Sequence, residues 1–261
     1  MNLNKNSYII SFASIMVIVV AALLPLTSIK LTPYQDRNIE LEKKQNILQS
    51  IGFTKILRDS SELPYSKYII EEIVLDIDGN VLDGAAFDID LGVELKKDSA
   101  DQKLPLYVSL LDDGSKCYII PLRGKGLWGP IWGYIALKED INTVFGAIFA
   151  HKTETPGLGA EINQPFFQEP FKGKKIYNEE NEFVSITVKK GGAPKGSMHS
   201  VDAISGGTIT SDGVTEMIYD RVRWYLPYLN KNKPAINKPV INDTVVNDTI
   251  ININLISKVD E

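Results

Sequence analysis

Asp202-Ala203-Ile204-Ser205-Gly206-Gly207-Thr208-Ile209-Thr210-Ser211 is the stretch around which the chain is organised. Two glycines lie between small hydroxyl residues, and helical spacing begins directly afterwards. Glycine lets the backbone approach a bulky ligand and expose its N–H groups. A helix start adds unpaired N–H donors and a partial positive charge, so the junction suits a phosphate. A Thr oxygen held beside a phosphate can also become part of a phosphoester. By composition alone the same letters describe a loop with a helix cap. The residue types leave both readings open, and chemistry does not choose between Thr208 and Thr210.

Downstream, Val214, Met217, Ile218, Val222, Tyr225, Leu226 and Leu229 keep helical spacing on one face. This predicts a helix over Ser211–Leu226, capped by Ser211 or Thr210 and kinked or ended by Pro227. Upstream, alternation predicts a strand over Phe183–Val188, followed by a glycine-rich turn over Gly191–Gly196. Leu106–Leu111 and Cys117–Leu122 flank Asp112-Asp113-Gly114-Ser115 and read as a hairpin. Four glycines in Arg123–Tyr134 are expected to keep regular pairing short and to leave Trp128 and Trp132 near exposed backbone. Ile135–Leu137 and Val144–Ala150 read as further strands. The loop His151–Gly159 closes them with a Pro156-Gly157 turn, and Glu154 and Thr155 there suit the polar edge of a ring.

Closer to the N-terminus, Tyr68–Leu75 and Val81–Leu82 bracket Asp76-Ile77-Asp78-Gly79-Asn80, a hairpin signal. Its acidic residues lack the remaining spacing of a calcium loop. Leu91–Asp101 reads as a charged surface loop, and Gln35–Leu57 as a connector helix that Gly52 could close. No charged residue interrupts Asn6–Ile29, a run long enough to cross a hydrocarbon core of about 30 Å. It exceeds the apolar core of a signal peptide and has no clean Ala-x-Ala site after it, so an uncleaved anchor is expected. Lys5 precedes the span while Lys30 and Arg37 follow it, a slight lean towards a cytoplasmic N-terminus.

With 261 residues and ordinary apolar and charged fractions, the chain can bury a sizeable core. The net charge of −5, without a basic run, argues against nucleic-acid binding. A single cysteine, Cys117, excludes an internal disulfide and an iron–sulfur cluster built by this chain alone. Only two histidines, His151 and His199, make a catalytic metal site improbable. The fold class expected is α+β: one transmembrane helix followed by a globular domain of mixed strands and helices. The divisions are residues 1–30 for the anchor, 31–229 for the domain with its connector helix, and 230–261 for a C-terminal extension.

Asp202-Ala203-Ile204-Ser205-Gly206-Gly207-Thr208 resembles the flavinylation motif of the covalent FMN-binding domain family, with Gly207 where that family usually has Ala. Gly126-Leu127-Trp128-Gly129-Pro130-Ile131-Trp132-Gly133-Tyr134 and Glu154-Thr155-Pro156-Gly157-Leu158-Gly159 are similar to the flavin-domain segments of the sodium-translocating NADH:quinone reductases. The resemblance runs in order from about Asn6 to Leu229. It implies FMN joined through its phosphate to Thr208, with Ser205, Gly206, Gly207 and Ser211 along the phosphate and ribityl chain. It places Leu127, Trp128, Glu154, Thr155, Leu158 and Gly159 near the isoalloxazine, and Asp202 as a residue read by the flavin transferase. No catalytic acid or base and no metal is implied, because the flavin does the redox chemistry.

The function so implied is that of an electron-carrying flavoprotein in a membrane NADH:quinone oxidoreductase complex coupled to sodium translocation. Its partners would be the other membrane subunits and, during maturation, the flavin transferase. Its place would be a bacterial inner membrane, crossed once, with the domain on the periplasmic side. The alternatives are the corresponding flavoprotein, the G component, of an Rnf-type electron transport complex and a cofactor-free periplasmic interaction domain.

Overall fold

The computed structural model describes residues 6–233; nearly all of the expected C-terminal extension, 234–261, lies outside the described residues. The first element, α1, is one continuous helix over Asn6–Ser50. The sequence suggests an anchor and a separate connector, but the helix runs through both, Pro33 between them included. Pro25 and Pro33 lie within it, each removing a single backbone bond. The Thr27 hydroxyl donates to the Leu23 carbonyl at 2.5 Å and the Thr32 hydroxyl to Ser28 at 3.0 Å, so their polarity stays inside the helix. One stretch of α1 is long and apolar enough to cross a membrane. The helix stops at Ser50, earlier than Leu57, where Gly52 takes a φ of +98° and its N–H donates to the Gln49 carbonyl at 3.0 Å.

After α2 (Glu62–Tyr68), the strands β1 (Ile69–Leu75), β2 (Val81–Leu82), β3 (Leu104–Leu110), β4 (Lys116–Lys125), β5 (Pro130–Lys138) and β6 (Val144–His151) form one antiparallel sheet. Its order is β2-β1-β3-β4-β5-β6. The hairpins expected at Asp76–Asn80 and Asp112–Ser115 both form. Asp76 accepts from the Asn80 N–H at 2.8 Å and spends its carboxylate on its own turn. Leu91–Asp101 is more ordered than a loop, with α3 over Leu91–Glu94 and a 3₁₀ turn over Ser99–Asp101. Asp90 starts α3 by accepting from the Gly92 N–H.

The strands are apolar on both faces because both are covered. Tyr118, Ile120 and Leu122 of β4 point to one face, and Cys117 and Ile119 to the other. The first face packs under α5 (Thr208–Lys231), which follows the short α4 (Pro165–Gln168) in chain order. Val214, Met217, Ile218, Val222, Tyr225 and Leu229 of α5 are all buried there, each aliphatic side chain contributing roughly 1.5–3 kcal/mol. The second face packs against α2 and the end of α1, where Ile47 and Leu48 are fully buried. The helix that carries the apolar stretch is therefore also a core element. Burial pushes the Cys117 thiol up to about 11, which keeps it protonated at neutral pH.

Three expectations need correction. Pairing runs through Arg123-Gly124-Lys125 and Pro130–Gly133, so only Gly126–Gly129 forms a turn. The glycines sit within strands because neighbouring backbone or side chains come close; a Cβ on Gly124 would meet the Met217 Cβ at 2.7 Å. The strand expected over Phe183–Val188 shrinks to β7 (Thr187–Lys189), paired in parallel with β8 (Ser200–Asp202). Pro227 does not end α5, which continues to Lys231.

The dual role of α1 has a measurable consequence. Leu48→Ala should lower domain stability by about 2–5 kcal/mol, whereas Leu24→Ala, 65% exposed on the apolar stretch, should leave it unchanged. Urea unfolding of the detergent-solubilised chain, followed by tryptophan fluorescence, checks this; equal effects would remove α1 from the core.

Candidate functional site

The sequence Ile204–Ser211 folds back on itself. Gly206 turns the chain with a φ of +76°, and a Cβ there would meet the Leu158 Cδ2 at 2.6 Å. Gly207 is the residue before α5 and makes no side-chain cap. Its carbonyl accepts the first helical bond, from the Ser211 N–H at 2.9 Å. The helix thus begins at Thr208, three residues earlier than expected, and neither Thr210 nor Ser211 caps it. Ser211 is fully buried, and its hydroxyl accepts from the Ile204 N–H at 3.2 Å.

Thr208 is half-buried at the mouth of this helix start, and Ser205 and Gly206 are exposed beside it. Thr210 is 1% exposed, and its hydroxyl donates to the Glu154 Oε2 at 2.6 Å. The two threonines that chemistry could not separate therefore differ in access. Glu154, itself 4% exposed, accepts on its other oxygen from the Trp128 N–H at 2.8 Å. The Thr153 hydroxyl donates to the Trp128 carbonyl at 3.0 Å. The peptide of Trp128 is held from both sides while its indole stays exposed.

The loop after Glu154 lies against the motif. A Cβ on Gly207 would come within 3.3 Å of the Gly159 nitrogen. Thr155 is exposed, and its carbonyl accepts from the N–H groups of Leu158 and Ala160 at 3.1 Å. Asp202 stands apart from this cluster: its Oδ1 accepts from the Ala193 N–H at 2.7 Å and ties down the Gly191–Gly196 turn.

Leu127, Trp128 and Leu158 are all exposed apolar side chains, and so is Ile209 on the first turn of α5. Large apolar side chains left in water beside a helix N-terminus suit a flat, partly apolar ligand carrying a phosphate. Sequence reasoning misses Ile209, although its place outside the buried stripe of α5 is an available signal. Thr153 offers no such signal, because its role is a contact across the turn. A cavity of about 790 Å3 lies elsewhere, between α1 and the opposite face of the sheet, lined by Lys43, Phe87, Tyr107, Trp132 and Tyr134 among others. Thr208 does not line it.

Residues 126–222 match the family described as FMN-binding domain. The chain is similar to the C subunit of the Na(+)-translocating NADH-quinone reductase of Vibrio alginolyticus, 32% identical over 213 residues and covering 76% of this chain and 82% of that one. To the C subunit of the same reductase from Haemophilus ducreyi it is 34% identical over 224 residues, 79% of this chain and 86% of that one. The crystal structure of the C subunit from Parabacteroides distasonis superposes with a TM-score of 0.70 at 41% identity, covering 76% of this chain and 96% of that chain.

Gly206 and Gly207 test the loop. Gly206→Ala should cost about 1–2 kcal/mol for its left-handed backbone alone, and should displace Leu158. Gly207→Ala, at a φ of −105° with the nearest atom 3.1 Å from its Cβ, should be much milder. Denaturant midpoints of the two variants check the order, and a reversed order would contradict the described loop.

Proposed function

Because this chain belongs to the family of the C subunit of the Na(+)-translocating NADH-quinone reductase, we propose that it holds FMN as a phosphoester on Thr208 and relays electrons within that reductase. FMN is the cofactor of the family's matched domain. The single observation that supports Thr208 is the contrast in access: the Thr210 hydroxyl is buried on Glu154, while Thr208 opens at the helix mouth. When bound, the flavin supplies the redox chemistry, and the chain's part is to hold and orient it.

In this reading the free N–H groups of the first turn of α5, with the helix dipole, face the phosphate. Ser205, Gly206 and Gly207 border the phosphate and ribityl chain. Leu127, Trp128 and Leu158, joined by Ile209, cover the ring's apolar faces and exclude water from it. Ser211 shapes the loop from beneath, and Thr155 with Gly159 forms the facing wall. Asp202 and the turn it anchors serve recognition by the flavin transferase.

The remaining assignments follow the same premise. Residues 1–30 anchor the chain in the inner membrane, and residues 31–229 form the domain on the periplasmic side. Sodium transport is coupled to electron flow in other subunits, since one membrane helix provides no ion path. A covalent link also keeps the cofactor from dissociating where no resupply exists.

Two experiments test the proposal. With the flavin transferase co-expressed, Thr208→Val should abolish in-gel flavin fluorescence after denaturation, and Thr210→Val should retain it. A fluorescent Thr208→Val band moves the attachment elsewhere. Protease added to intact spheroplasts should digest the domain, and full protection until lysis would reverse its side.

A further inference from the structure

Glutamate is almost never fully buried unless paired, yet Glu154 is 4% exposed. No ion pair to it is found among the described residues. Instead its two oxygens are divided between donors from different segments: the Trp128 N–H at 2.8 Å and the Thr210 hydroxyl at 2.6 Å. Both lengths are those of well-formed hydrogen bonds. Room for the group is made by two glycines: a Cβ on Gly126 would lie 2.5 Å from Oε1, and one on Gly159 would lie 2.5 Å from Oε2. The backbone N–H of Glu154 donates to the His151 Nδ1 at 3.2 Å, which holds the residue at the base of its loop.

We infer that Glu154 is a positioning residue whose buried carboxylate clasps the Gly126–Gly129 turn to the first turn of α5 and so sets the relative placement of Trp128 and Thr208. The inference rests on the reading of Thr208 as the flavin-bearing residue. It gives Glu154 the role of joining two segments, with one protein donor on each of its oxygens. Helix geometry supplies the rest. Successive residues turn by about 100°, so pinning Thr210 inward sends Thr208 to the outer side, in agreement with their 1% exposure and half-burial respectively. Glu154 thereby sets the rotational phase of the helix start. A carboxylate suits the position because both partners donate; a Gln side chain keeps both contacts only by reversing the Thr210 bond, with its NH2 donating to the hydroxyl.

The test uses the full chain in detergent, first made without the transferase and labelled with 15N-tryptophan. Its three tryptophans keep the spectrum sparse. Glu154→Ala should speed exchange of the Trp128 N–H about tenfold or more, and E154Q should stay within about threefold of the wild type. E154D, too short to span both donors, should resemble Glu154→Ala and serves if the alanine variant does not fold. In the flavin-loaded chain, Thr210→Val should lower flavin fluorescence anisotropy while leaving attachment intact. Wild-type exchange in both Glu154→Ala and E154D would overturn the clasp. An E154Q variant as fast as the alanine variant would overturn the positioning role in favour of the charge itself. Absence of flavin on Thr208 would leave the exchange result readable, so the two readings fail separately.

Discussion

The close approach of α5 to the end of β4 is the constraint on which the rest of the site depends. Gly213 lies against the Lys125 carbonyl with no space for a side chain, and Gly124 lies against Met217. A larger residue at either place would lift the helix from the strand, because packed interiors have no slack to absorb it. With the approach intact, burial of Val214, Ile218 and Val222 fixes the helix along the sheet. Its first turn then arrives beside the Gly126–Gly129 turn, where Glu154 bridges the two.

The opposite face of the sheet ties this geometry to the membrane. The last turns of α1 bury Ile47 and Leu48 against it, and the same helix extends without a break into the apolar stretch. Arg37 reinforces the junction through two hydrogen bonds to Glu62, at 3.0 and 2.8 Å, on the neighbouring helix. These groups are solvent-exposed, so their stabilising contribution is small beside that of the buried side chains. The domain is thus joined to the apolar stretch by a continuous helix and not by a loose linker.

Much of this was legible in the sequence where the signal was local. The hairpins at Asp76–Asn80 and Asp112–Ser115, the apolar run of α1, the stripe of α5 and the motif ending at Thr208 each declare themselves within a short window. The misreadings came from tertiary context. Glycines at 124 and 133 look like strand breakers but mark close packing within strands. The join between anchor and connector looks like a boundary because its composition changes, although the backbone has no reason to stop. The parallel pairing of β7 with β8, and the inward turn of Glu154 and Thr210, depend on residues distant in sequence. No window reports them.

The central claim is that one particular hydroxyl, on Thr208, carries the flavin. Fragment-ion mass spectrometry of the tryptic peptide Gly196–Arg221, from protein purified out of its own membrane, tests it most directly. The account predicts a single FMN-phosphoryl increment borne by every fragment that contains Thr208 and by none that excludes it. An increment that follows Thr210 instead, or an unmodified peptide from a chain that still fluoresces after denaturation, would contradict it.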